Sequence, residues 1–462
     1  MTSKKMAVTP ADLQQRRAGV LLHPTSLPSG MLDSDVERWL QLLADSGFSV
    51  WQVLPLCEPQ HGLSPYLCSS TFAMNTALLA DFPHYDENDS NFAGFCRQQQ
   101  FWLDDYALFK VLKLHFNDTC WYEWPQQWKF RDPEALQLVR NQYEQTIAEL
   151  KWQQYQLYRR WQQIRQTASE MGISLFGDLP IFVGHDSADV WAHPEWFLLD
   201  ENGMMEVVSG VPPDYFSDTG QRWGNPHYDW HAMQQDGYTW WLNRIRYHLE
   251  LFELLRIDHF RGLEAAWMID ASCETAVDGH WEKMPGDALL STIRSGLNNG
   301  LEQLPFVAED LGIITPEVTA LRKKYNLPGM AILQFGFDEF EDNPHKPQNI
   351  GEDTVVYTGT HDNDTTKGWF NSLDDHVKTY VLDKLELHDD IHDLQPDNHV
   401  SGNGQDTADL VADLVVDTLI SNAMSSRANI CILPMQDCLH LGSEARMNLP
   451  GTVSDNWKWK FQ

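Results

Sequence analysis

Arg256-Ile257-Asp258-His259 sets a cation two residues before a carboxylate. On a strand, residues two apart point to one face. A guanidinium beside a carboxyl lowers its pKa and keeps Asp258 ionised, as a nucleophile needs. Glu309 directly follows the apolar Phe306-Val307-Ala308. A carboxyl in apolar surroundings has a raised pKa and can donate a proton. Asp362 lies in Thr360-His361-Asp362-Asn363, shortly after another apolar run. Each segment alone is weak, since a buried Asp near an Arg is more often a structural ion pair. Together they match what glycoside cleavage demands. Its oxocarbenium-like transition state needs one carboxylate at the anomeric carbon and one acid at the leaving oxygen. A third carboxylate can grip sugar hydroxyls as the ring distorts.

Such residues need a scaffold that brings them to one place. Eight short apolar or β-branched runs end in polar residues: 18–23, 50–56, 173–178, 254–258, 306–310, 330–336, 355–362 and 430–437. Continuous apolar runs mark strands buried on both faces. Helical patterns separate many of them, which predicts parallel strands joined by crossovers. Eight such units fit a (β/α)8 TIM barrel, with its active site at the strand C-termini. The strand count alone also fits an open, doubly wound sheet.

Uneven spacing marks insertions. Residues 57–172 are predicted to form an inserted helical subdomain. Asp132 can cap a helix there, with Pro133 in its first turn. Apolar residues then recur from Tyr143 to Met171 at helical spacing, and Gly172 is a stop signal. Residues 187–235, rich in Gly, Pro, Asp and Trp, read as an inserted active-site loop region. The polar stretch 386–406 reads as a surface loop, followed by a helix over 407–424. No linker separates domains, so 1–462 reads as a single catalytic barrel domain.

The 462 residues suffice for a large core, and 66 acidic against 33 basic residues give a net charge of −33. That surface repels phosphates and anionic lipids, so neither nucleic acid nor a membrane surface is an expected partner. The seven cysteines are odd in number and lack C-x-x-C spacing, which argues against a disulfide framework or a zinc site. No secretion signal or membrane span is legible, and the expected location is cytoplasmic.

The set Arg256-Ile257-Asp258-His259-Phe260-Arg261-Gly262, Ala308-Glu309-Asp310-Leu311-Gly312 and Thr360-His361-Asp362-Asn363 resembles strands four, five and seven of the α-amylase-like glycosidase clan. Further segments resemble glycoside hydrolase family 77, the 4-α-glucanotransferases or amylomaltases. They include Ser64-Pro65-Tyr66, Gly177-Asp178-Leu179-Pro180-Ile181, Gly210-Val211-Pro212-Pro213-Asp214, Gly220-Gln221-Arg222-Trp223-Gly224-Asn225-Pro226, Glu444-Ala445-Arg446-Met447-Asn448 and Asn456-Trp457. The resemblance spans residues 19–459. It implies a barrel with inserted, largely helical subdomains and no C-terminal β-domain. It implies retaining transfer of an α-1,4-glucan segment from a malto-oligosaccharide or longer glucan to another such chain or to glucose. Asp258 then resembles the nucleophile, Glu309 the acid/base and Asp362 the transition-state stabiliser. Arg256 and His361 resemble residues that hold the nucleophile and the sugar. Asp214 and Trp223 lie in a segment resembling a flexible loop over the glucan. Tyr66 resembles a glucan-binding aromatic outside the cleavage site, with Ser64 in the same substrate-binding segment, and Asn456 resembles a sugar contact near the C-terminus. Acid–base and covalent catalysis suffice, so no metal or organic cofactor is expected.

The chain departs from the family pattern at Thr76, where proline is common, and at Lys346 and Gln348, where leucine and histidine are usual. A plain α-1,4-glucan hydrolase with the same three carboxylates is one rival reading. A glucan-binding protein on a decayed barrel is another, and the retention of all three carboxylates argues against it.

Overall fold

The computed structural model describes residues 13–60, 62–213, 217–297, 303–388, 404–452 and 454–461. Its strands are β1 (Arg17–Leu21), β2 (Val50–Gln52), β3 (Ser174–Leu179), β4 (Val207–Val211), β5 (Gln221–Pro226), β6 (Leu254–Ile257), β7 (Ala265–Asp270), β8 (Gly279–Lys283), β9 (Phe306–Ala308), β10 (Gly329–Ile332), β11 (Thr354–Tyr357) and β12 (Ile430–Pro434). Eight of them form one parallel sheet in the order β10-β11-β12-β1-β2-β3-β6-β9. These are the eight apolar runs predicted from the sequence, and they make a TIM barrel rather than an open sheet.

The two-residue period of a strand explains why the runs are apolar throughout. In β11, Val355 and Tyr357 pack inside the barrel with Ile430, Ile432, Leu254 and Phe176. Val356 between them faces outward onto Phe370, Val381, Val415 and Leu419 of the surrounding helices. Both faces are dry, so both demand apolar side chains.

β9 and β10 end the hydrogen-bonded order, and the barrel closes between them without a ladder. Ala308 N–H donates to the Pro328 carbonyl at 2.8 Å. Met330 N–H donates to Asp310 Oδ1 at 2.8 Å, while Arg322 Nε lies 3.1 Å from Asp310 Oδ2. Gly329 makes room for this carboxylate, since a Cβ there would sit 2.5 Å from Asp310 Oδ2.

Residues 57–172 carry mainly helices. The single helix expected after Asp132 is two, Pro133–Gln142 and Glu144–Glu170, broken at Tyr143 with φ −113° and ψ 23°. Asp132 accepts from Glu134 N–H and Ala135 N–H, as a cap should. Trp161 anchors the longer helix to the barrel. Its Nε1 donates to Leu251 O at 2.9 Å and its ring meets Trp51 and Phe252.

Residues 187–235 hold more order than a loop reading predicts. They include the helices Ala188–Ala192 and Trp230–Gln235, and the strands β4 and β5. With β7 and β8 these build a four-stranded antiparallel sheet in the order β5-β4-β7-β8. Of the predicted loop 386–406, residues 389–403 lie outside the described residues. The next helix spans Gly404–Ser425, longer than the predicted 407–424.

Candidate active site

Register alone brings the first charges together. Asp178 on β3 lies directly across from Arg256 on β6, and Ile257 lies across from Ala308 on β9. Asp258 and Glu309 are therefore the next residues beyond neighbouring parallel strands. Arg256 Nη1 donates to both Asp178 oxygens, at 2.9 and 2.8 Å, and lies 2.8 Å from Asp258 Oδ1. Tyr66 Oη donates to Asp178 Oδ2 at 2.8 Å, and its ring stacks on His361 at 5.3 Å and 12°. Ser64 shapes the turn beneath it, accepting from Tyr66 N–H at 3.4 Å.

Glu309 is held by backbone donors. His259 N–H donates to Oε2 at 2.7 Å and Leu311 N–H to Oε1 at 3.0 Å. His259 adopts a left-handed conformation, φ 50°, which is sterically unfavourable for a residue with a Cβ. Trp223 at the end of the small sheet meets the His259 ring edge to face at 4.8 Å, and stays 37% exposed.

Asp362 is placed from the far side. Asn448 Nδ2 donates to its Oδ1 at 2.7 Å, and Arg446 Nη2 to its backbone carbonyl at 2.7 Å. His361 Nε2 lies 3.4 Å from the same Oδ1. Trp457 closes this side, 5.9 Å from both Tyr66 and His361.

The electrostatics correct one expectation. Arg256 does oppose protonation of Asp258, but it also serves Asp178. Burial, followed by the Asp178, Glu309 and Asp362 charges, outweighs it and raises the Asp258 carboxyl. Burial likewise raises Glu309, against Arg256 and the two N–H donors. Both acids therefore hold a proton to higher pH than an ordinary carboxyl does. Burial works against the Arg256 cation, yet the surrounding carboxylates hold its pKa above the usual value. Burial lowers His361, against the pull of Asp362, so its imidazole stays neutral.

The carboxyl side chains of Asp178, Asp258, Glu309 and Asp362 and one buried guanidinium thus converge at the C-terminal mouth of a barrel. The glycoside hydrolase family 77 model, described as 4-alpha-glucanotransferase, matches residues 21–82 and 80–462. The chain belongs to family 77. The 4-alpha-glucanotransferase of Thermus thermophilus is 40% identical, over 96% of this chain and 95% of that protein. The 4-alpha-glucanotransferase of a Synechocystis strain is 39% identical, over 97% and 94%. The solved amylomaltase from Streptococcus agalactiae in complex with acarbose has a TM-score of 0.85 at 31% identity, covering 97% of this chain and 95% of it.

The cluster includes residues that spacing alone did not single out. Asp178 and Asn448 stand in matching segments, but only strand register and tertiary contact show what they touch. Trp457 reaches the site beside Asn456. The hydrogen bonds of Asn456 itself stay in its own turn, to Leu449 N–H and to Thr452. Asp214 lies outside the described residues. Lys346, one of the departures from the pattern, donates to the Asp338 and Phe340 carbonyls and braces the loop after β10.

Proposed function

We propose that this 4-α-glucanotransferase uses Asp258 as nucleophile, Glu309 as acid/base and Asp362 as stabiliser of the distorted sugar. The observation that carries this reading is the Arg256 guanidinium, 2.8 Å from Asp258, with Glu309 one strand away. Asp258 attacks the anomeric carbon while Glu309 protonates the leaving glucan oxygen. Glu309 then takes the proton of the incoming 4-OH as the bond to Asp258 breaks. Two displacements at one carbon retain the α configuration. Asp362, oriented by Asn448, accepts hydrogen bonds from sugar hydroxyls. Tyr66, Ser64, Trp223, His361, Asp214 and Asn456 are the residues that bind the glucan. Donors are α-1,4-glucans and malto-oligosaccharides, and glucose or another glucan is the acceptor. Among the described residues no helix is long and apolar enough to cross a membrane. All seven cysteines are free thiols, which supports a reducing, cytoplasmic location.

The test is incubation of the pure protein with maltotriose, separating products by size and quantifying glucose. Longer glucans plus glucose are expected, and Asp258→Asn should abolish both. Glucose and maltose without longer products would mean a hydrolase instead.

A further inference from the structure

The segment after the proton donor, Leu311 to Ile314, belongs to no helix or strand, and Ile313 is 60% exposed. Gly312 turns through φ +80°. Such a turn has little of its own to hold it, yet Leu311 N–H must stay on Glu309 Oε1. The turn Phe260–Leu263, directly after Asp258 and His259, supplies the grip. His259 N–H reaches Glu309 Oε2, Phe260 N–H donates to the Glu309 carbonyl at 3.0 Å, and Arg261 Nη1 donates to the Ile313 carbonyl at 2.6 Å. Two of the three donors are backbone amides. The third is a side chain.

Arg261 is buried, 6% exposed, and its guanidinium lies over the Trp281 ring at 3.7 Å. Trp281 stands on β8 and packs edge to face on Trp267 of β7 at 5.3 Å. Glu264, the nearby acid that favours the Arg261 charge, is itself engaged by Lys283. The cation is thus spent on an aromatic face and a carbonyl rather than on a carboxylate.

We infer that Arg261, clamped by Trp281 of the small sheet, is a positioning residue for Glu309. The inference rests on Glu309 being the acid/base. Losing the clamp frees the 311–314 turn, and Glu309 then spends less time aligned with the glycosidic oxygen. General acid catalysis depends steeply on that alignment.

The experiment compares two reactions in the full-length protein. Maltotriose disproportionation needs proton transfer in both steps. Transfer from α-maltosyl fluoride to azide needs none, since fluoride leaves unprotonated and azide attacks as an anion. Arg261→Met should lower the ratio of the first rate to the second about ten-fold or more, through kcat rather than KM. Arg261→Lys should recover part of it. Trp281→Leu should lower the ratio in the same direction, and it carries the test if Arg261→Met does not fold. An unchanged ratio, or an equal fall in both rates, overturns the inference. Glu309→Ala is the control. If it spares the fluoride–azide reaction while Arg261→Met does not change the ratio, the positioning role fails alone. If Glu309→Ala depresses both reactions equally, the acid/base reading itself fails.

Discussion

Arg256 is the residue on which the acidic cluster balances. It touches Asp178 and Asp258, and its charge also reaches Glu309. An opposite charge at contact lowers a carboxyl pKa by about 1–3 units. Arg256→Met removes that pull, so the Asp258–Glu309 pair takes up protons at higher pH. Since the nucleophile must be ionised, the acid limb of kcat/KM should move upward by about one unit or more. A pH–rate profile on maltotriose checks it, and an acid limb left in place would refute the assignment. Arg256 and Asp258 stood out in the sequence because a strand puts i and i+2 on one face, and Glu309 and Asp362 because each follows an apolar run. Asp178 did not, although it sits in a quoted segment. Its role comes from register across β3 and β6, and a single sequence does not display register. Asn448 is hidden for a related reason: 86 residues separate it from the Asp362 it orients.

Among the elements, the barrel strands were readable because burial on both faces leaves a continuous apolar run. The small sheet was not. β5 reads Gln-Arg-Trp-Gly-Asn-Pro, with Arg222 and Trp223 exposed, so no periodicity announces it. Its β4 partner pairs in turn with β7, beyond the Asp258 strand. That pairing seats Trp223 on His259. Trp223→Ala should let water reach the glucosyl intermediate and raise the hydrolysis-to-transfer ratio with maltotriose, or weaken glucan binding. Unchanged products and unchanged kinetics would rule this out. The β9–β10 seam carries a second prediction. Burial, against the pull of Arg322, raises Asp310 to about 6. A carboxyl with a raised folded pKa favours the fold below its unfolded pKa of about 4, and that contribution fades as pH climbs through the folded value. Asn keeps the acceptor for Met330 N–H but does not titrate. The stability of the wild type relative to Asp310→Asn should therefore fall between about pH 4 and about pH 6 and stay level above. Denaturant unfolding across that range reads it, and a difference independent of pH would sink it.

Across the whole molecule, a net charge of −33 sets the background. Self-repulsion of that size opposes compaction, and salt relieves it. The Debye length shortens from about 30 Å at 0.01 M salt to about 8 Å at 0.15 M. Thermal stability should rise over that interval. The glucan is uncharged, so its KM should change less than about two-fold, because screening acts on charges. A KM that tracks salt would point to a charged ligand. A closed barrel has no edge strand, and so no rim from which its amides begin to exchange with solvent deuterium. This one retains such a rim, where β9 meets β10. The Met330 amide there is sheltered by a side chain that can be neutralised, not by a neighbouring strand. Its exchange rate, alone among the amides of β10, should therefore answer to the protonation of Asp310.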